Sequence, residues 1–296
     1  MDEDFIFFTE ILLFFVCAVF TVRFLHIWYK SIVCSWPKER ARGAKTLLGL
    51  LPIAALIGFV ALLINVSRIW LLTWPDMSEG EVFFYILIYT VFGFAWINFS
   101  VFVFSVMGIS WQADALHSNN KAALFTIAGG FLGIAALYAG ANYYPGEIYG
   151  TGDGWWTILF SGGLATILFF LFALLINLCT NIFERIVSGR DVGAGIRLGA
   201  FLLSAGILLA RSASGDWTGA LNATIELLDG WPVLALALLV IGVERIFLAF
   251  GHAAPKKIGF SSLAIALIYL SVGIVGAIPE FFPSIADIIK GGGAAI

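Results

Sequence analysis

Residues 119–143 read NNKAALFTIAGGFLGIAALYAGANY, and residues 190–213 read RDVGAGIRLGAFLLSAGILLARSA. Each opens on polar residues and then runs apolar for about twenty positions. Each carries glycines four apart, Gly129 with Gly133 and Gly195 with Gly199. A bilayer core about 30 Å thick needs roughly 20 apolar helical residues, so both stretches read as membrane-spanning helices. Small residues at this spacing let two helices approach backbone to backbone, which is how helices pack where lipid removes the hydrophobic drive. Ala136 and Gly140 extend the first stripe, Ser204 and Gly206 the second, and Gly162-Gly163 form a smaller one. Packing is the default role of these glycines; a groove lined by bare backbone is the functional alternative.

Working outward, six more runs have the same character. The full set is approximately 5–29, 46–72, 83–108, 122–143, 155–180, 192–212, 231–250 and 259–278. The runs are continuous, not the alternating ten-residue segments of a membrane barrel, so all eight are expected to be helices with internally satisfied backbones. Composition agrees. The chain of 296 residues is 61% hydrophobic and 12% charged, about half the charged fraction of a soluble domain. A mean hydropathy of +1.00 leaves no room for a sizeable soluble domain. The expected fold class is all-α: one polytopic membrane domain over 1–296, with a central repeat pair at 83–215. An extra hairpin stands at 5–75 and another at 231–290.

Charge sorts the gaps between runs. The odd gaps hold Lys30, Lys38, Arg40, Arg42, Lys45, Lys121, Arg185, Arg190, Lys256 and Lys257. The even gaps hold Asp76, Glu79, Glu81, Glu147, Asp153, Asp216, Glu226 and Asp229, and no Lys or Arg. The positive-inside rule then places the odd gaps in the cytoplasm and both termini outside. Trp70, Trp74, Trp155, Trp156 and Trp231 read as an outer interfacial belt, and Trp28, Trp36 and Trp111 as an inner one. The acidic start Met1-Asp2-Glu3-Asp4 lacks the basic region of a cleaved leader, so the first run is read as retained. Segments 217–228 and 279–290 suit short interfacial helices or plain loops.

The two quoted stretches echo one another. Seventy positions separate Ser118 from Ser188, Gly129 from Gly199 and Phe131 from Phe201. Phe183-Glu184-Arg185-Ile186 is echoed by Val243-Glu244-Arg245-Ile246. Each unit is two runs long and starts on the same side, so the repeats are parallel, not inverted. Asn119-Asn120-Lys121-Ala122-Ala123 followed by Gly129 to Gly133, with the second copy around Asp191 to Gly206, resembles the YjfL-type bacterial inner-membrane proteins. These are four-span proteins of unknown function with two such repeats. The likeness covers roughly residues 83–215; the family pattern places Asn where Asp191 stands. The resemblance implies a fold and a bacterial inner-membrane location, and it supplies no catalytic residues.

Charge inside a span costs roughly 2.5–3.5 kcal/mol at the helix centre, so each such residue is a candidate site. Glu184, Arg185, Arg197, Glu244 and Arg245 are expected to form a polar cluster on the cytoplasmic side, beside a snorkelling Arg23. Adjacent Glu244 and Arg245 stand about 100° apart on a helix, so Glu244 needs a partner elsewhere: Arg197 or Arg185. The cluster reads as a structural network or as a proton or ion relay. Glu10, Arg68 and Arg211 lie toward the outer ends. The two arginines either snorkel or pair with acidic neighbours, or else build an anion site. Asn119 and Asn120 read as caps of the following helix, or with Lys121 as an anion site at its N-terminus. His117 reads as interfacial. Asn65, Asn98 and Asn177 are expected to bond between helices.

Phosphate-binding glycine loops, Ser-His-Asp order, HExxH, CxxC and EF-hand patterns do not appear in the sequence. Cys17, Cys34 and Cys179 lack metal spacing, so no metal or cofactor is expected. Short basic loops argue against nucleic acid; loop 30–45 suits anionic lipid. The expected function is non-enzymatic: an accessory or scaffolding subunit of a membrane assembly, partnered by lipids and by other subunits or further copies. The alternative is a channel or transporter moving a small ion through the central repeat pair.

Overall fold

The computed structural model describes residues 3–34, 42–73, 78–142, 158–214, 224, 227–249 and 259–278. They form helices α1 (Glu3–Cys34), α2 (Arg42–Thr73), α3 (Glu79–Val106), α4 (Lys121–Ala141), α5 (Gly163–Thr180), α6 (Ile182–Val187), α7 (Val192–Ala213), α8 (Trp231–Ala249) and α9 (Phe260–Gly276). Short π-helical turns occupy Trp111–His117 and Ile158–Gly162. No strand occurs among the described residues. Among the described residues, seven helices are long and apolar enough to cross a membrane, and α9, at 17 residues, is a shorter apolar helix. Segment 279–290 and nearly all of 217–228 lie outside the described residues; a 3₁₀ turn, Leu227–Gly230, leads into α8.

Local chemistry sets several of these boundaries. Ser78 caps α3: its hydroxyl accepts from the Glu81 N–H, and the Glu81 carboxylate accepts from the Ser78 N–H at 2.7 Å. This reciprocal box satisfies two free amides at once. Inside α2, Pro52 has no N–H to give the carbonyl of Leu48, four residues earlier. The Trp28 indole N–H supplies the missing bond at 3.0 Å. Trp28 is fully buried and stacks on Trp111 at 4.1 Å between ring centres. The inner aromatic belt expected at Trp28 and Trp111 is therefore corrected: repairing the Pro52 gap draws Trp28 into the core and Trp111 follows it. Trp36, Trp70, Trp74, Trp155 and Trp156 lie outside the described side chains.

Helix directions follow from the contacts. Phe14 meets Phe84 and the Thr21 hydroxyl donates to the Val91 carbonyl, so α1 and α3 run parallel. Trp96 donates to Thr166 while Phe104 meets Phe170, so α3 and α5 run parallel too. Tyr138 donates to the Tyr89 carbonyl while Gly130 abuts Phe104, so α3 and α4 are antiparallel. At the centre, α4 and α7 run parallel, and 78% and 83% of their span residues are buried, against 17% for α1.

That central pair is a backbone-to-backbone contact. A methyl added at Gly129 would strike the Gly199 carbonyl; one at Gly199 would strike Phe125, one at Gly195 Ala122, one at Gly133 Leu202 and one at Gly206 Gly133. The four-residue glycine spacing thus presents one bare stripe of each helix to the other. The Thr126 hydroxyl, within the same seam, donates to the Ala122 and Gly195 carbonyls. Gly162 is buried against Ala141, whereas Gly163 has nothing closer than Trp96 at 4.0 Å.

Overpacking a filled core costs about 1–3 kcal/mol and sometimes more, and here the obstacle is backbone, which cannot rotate away. Gly129→Leu should therefore abolish or sharply lower the thermal transition of the detergent-solubilised protein, followed by tryptophan fluorescence. Gly58→Ala, with open space around it, should leave the transition within a degree or two of wild type.

Candidate functional site: a buried ion network

Six side chains from four elements meet near the N-terminal end of α7. Glu244 of α8 is fully buried. The Arg197 Nε of α7 donates to its Oε1 at 2.5 Å and Arg197 Nη2 to its Oε2 at 2.9 Å, a two-pronged grip. The Arg185 Nη1 of α6 donates to the same Oε2 at 2.7 Å. Arg185 Nη2 then donates to Asp191 Oδ2 at 2.7 Å. Arg197 Nη1 donates to the Ser262 hydroxyl of α9 at 2.6 Å, and its guanidinium lies 4.1 Å above the centre of the Phe247 ring.

Each member is placed by its own element. Asp191 is the N-cap of α7: Oδ1 accepts from the Ala194 N–H, which leaves Oδ2 for Arg185. Arg190, just before it, takes a left-handed backbone with φ of 51° to turn the chain into the cap. Asn181 does likewise at the α5–α6 joint, and the Asn177 side chain caps the new helix by accepting from the Phe183 N–H. Asn177 thus serves its own joint, not a neighbouring helix. Gly193 leaves room for the cluster, since a methyl there would lie 2.6 Å from the Ser262 oxygen.

The arrangement is neutral as a whole: two guanidinium groups face two carboxylates. Both Glu244 oxygens are occupied, and Arg197 spends all three nitrogens. Burial works against the Arg185 charge, but Glu244 and Asp191 outweigh it and hold its pKa above the ordinary value. The network is built to keep its charges in place.

The structure brings together three of the five residues expected to cluster: Arg185, Arg197 and Glu244. Glu184 and Arg245 are exposed; each neighbours a network residue in sequence and so points about 100° away from it. Asp191, Ser262 and Phe247 are the members that sequence reasoning missed. Asn120, not Asn119, is the cap of α4, with Oδ1 accepting from Ala122 and Ala123; its Nδ2 donates to the Ile186 and Val187 carbonyls. Asn119 supplies the left-handed residue before it, φ 49°. With its cap occupied, the α4 N-terminus has no open anion position at Asn120. His117 is exposed. Arg211 Nη1 donates to the Gly276 carbonyl at 3.0 Å, so it caps the C-terminal end of α9, where a positive charge suits the helix dipole. The side chains of Glu10, Asn65 and Arg68 lie outside the described residues.

Arg211 belongs to a ladder. Arg197 bonds Ser262, Ser204 donates to the Tyr269 carbonyl at 2.8 Å, and Arg211 bonds the Gly276 carbonyl. Each pair is 65 residues apart and the rungs fall every seven residues, so α7 and α9 are parallel with heptad register. The buried Tyr269 hydroxyl has no hydrogen-bond partner among the described residues.

Residues 77–212 match the family model DUF350, a domain of unknown function. The match covers under half the chain. No curated protein matches the chain, and no solved structure matches it. The domain runs from the start of α3 almost to the end of α7, so the network crosses its border. Arg185, Asp191 and Arg197 lie inside; Glu244 and Ser262 come from the hairpin beyond.

Removing one partner of a buried pair costs about 3–5 kcal/mol, because the other charge is left uncompensated. Glu244→Ala should therefore destabilise more than Arg185→Ala, whose side chain is 20% exposed. The double variant Arg197→Met/Glu244→Leu should recover much of the loss. Unfolding by denaturant in mixed micelles tests this; equal losses for the two single variants would contradict it. Arg211→Ala should cost about 1.5–3 kcal/mol, as expected for a charged hydrogen bond, and should raise amide exchange at the end of α9.

Proposed function

We propose that this chain is a non-enzymatic integral membrane protein that acts as an accessory or scaffolding subunit of a membrane assembly. The observation that carries this reading is the closed state of the interior. The buried network pairs its charges, and α4 and α7 touch backbone to backbone along the seam where a central conduit would run. The ion-conducting alternative needs a polar path from Arg197 to Arg211. Its rungs stand seven residues apart, about 10.5 Å along a helix, beyond the reach of direct transfer.

The finer architecture belongs to the same proposal. We read α9 as an eighth span, because it accompanies α7 rung by rung. We read the chain as parallel two-helix repeats of one domain over 1–296. Phe14 meets Phe84, Thr21 meets Val91, Trp96 meets Thr166 and Gly129 abuts Gly199, every pair seventy residues apart. Equivalent positions touching at a constant step is what parallel repeats around a shared axis produce. The YjfL-type assignment, the bacterial inner membrane and the outward placement of both termini complete this reading. They rest on the quoted motifs and the alternating charge.

Extraction in native-lipid nanodiscs tests the function. A stoichiometric membrane partner or a defined homo-oligomer is expected; a lone monomer overturns the accessory reading. In liposomes, Arg197→Ala and wild type should show the same absence of ion flux; a wild-type flux lost in the variant would favour the conduit.

A further inference from the structure

The outward face of α1 changes character along its length. Leu12, Val16, Val19, Arg23, His26 and Lys30 follow one another in steps of four and three, so at 100° per residue they fall within about 80° of arc. All six are exposed. The first three are apolar and the last three carry nitrogen donors. The opposite side of the helix holds the protein: Thr21, Phe24, Trp28 and Ile32 are buried there, with Thr21 bonded to the Val91 carbonyl and Trp28 to the Leu48 carbonyl.

No acid answers these cations among the described residues. The ion pairs found there all belong to the network of Arg185, Arg197, Asp191 and Glu244. Asp114, at the same end of the bundle, accepts from the Ser110 N–H. Glu79 and Glu81 stand at the far end of α3, just before the Phe84 that meets Phe14.

Depth and charge then name the occupant. The stripe lies on the candidate span Ile11–Cys34, on the side turned away from every helix that α1 packs against. From Leu12 to Arg23 is about 16 Å along a helix, close to the ~15 Å half-thickness of the hydrocarbon core. The stripe therefore turns from apolar to basic at the depth where acyl chains give way to headgroups, and Arg and Lys lay their stems on apolar surface while lifting their charge to that level. A second copy packed on this stripe about an axis along the membrane normal would set each cation against its own counterpart, which like-charge repulsion opposes. We propose that the stripe is a binding site for an anionic phospholipid. Its phosphate lies between Arg23 and Lys30, beside His26, and an acyl chain runs along Val19, Val16 and Leu12. The site stands whether or not the chain has protein partners.

The test titrates the full chain in mild detergent with phosphatidylglycerol or phosphatidylcholine and reads the apparent affinity by native mass spectrometry. Each cation near an anionic headgroup contributes about a fivefold factor. Arg23→Gln/Lys30→Gln should therefore weaken phosphatidylglycerol about 25-fold and leave phosphatidylcholine unchanged. Lys121→Gln/Arg245→Gln removes the same charge from exposed positions on α4 and α8 and should change the affinity less than twofold. The charge-keeping swap Arg23→Lys/Lys30→Arg should bind within about threefold of wild type. A second readout needs no variant: phosphatidylglycerol with a photoreactive acyl chain should crosslink to residues 12–30 at least fivefold more than its phosphatidylcholine counterpart. Equal affinity of wild type for the two lipids, equal losses in the two glutamine variants, no preferential crosslink within 12–30, or crosslinking of this face to an acidic protein segment in native membranes would each overturn the proposal.

Discussion

A carboxylate with no exposed surface, Glu244, sets the terms for the helices around it. An unpaired buried charge costs several kcal/mol even after relaxation, so α8 is stable only where cations can reach its inner face. Two do. Arg197 comes from the span alongside, and Arg185 from a short helix that exists because Asn181 turns the chain sharply after α5. Arg185 in turn needs a second anion, which Asp191 supplies from the cap of α7. Ser262 takes the remaining Arg197 bond and fixes α9. Each demand creates the next, and together they tie the hairpin beyond residue 230 to the region that matches DUF350.

The second constraint is geometric. Lipid gives helices no reason to associate except close contact and hydrogen bonding. The α4–α7 seam takes the first route, through glycines whose missing side chains admit a neighbouring carbonyl. The α7–α9 seam takes the second, with one polar rung every two turns. Helix α7 therefore presents two different faces, one of bare backbone and one of spaced polar groups. That division explains why its sequence mixes Gly195, Gly199 and Gly206 with Arg197, Ser204 and Arg211.

Much of this was legible beforehand. Apolar run lengths located the helices, the glycine spacing marked α4 and α7 as the tightly packed pair, and the need of Glu244 for a partner on another helix pointed to Arg197 and Arg185. The rest depends on side-chain direction and tertiary pairing, which a local pattern does not carry. Glu184 and Arg245 sit beside network residues in sequence but face outward, because one step along a helix is a turn of about 100°. Asp191 appeared only as part of the second repeat copy, where the resembled family has Asn, since its second oxygen acquires a role only when α6 folds back. Trp28 looked interfacial until Pro52, on another helix, left a carbonyl for it to satisfy. Ser262 carried no signal, being one hydroxyl in an apolar run.

Why the α7–α9 rungs recur every seven residues follows from helix geometry. An undistorted helix turns 700° in seven residues, about 20° short of two full turns, so a seven-residue stripe drifts slowly around the cylinder. Over the three rungs from Arg197 to Arg211 that drift is about 40°, small enough for a gently coiled pair to absorb. A constant 65-residue offset then fixes the register: sliding α9 by one residue would turn Ser262 away from Arg197 and the Gly276 carbonyl away from Arg211. An apolar seam would tolerate such a slip more readily, because one methyl group replaces another. The rungs thus explain how a helix of only 17 residues is held in one register, and why Arg211 stands at the far end of α7. Its charge marks where α9 must stop.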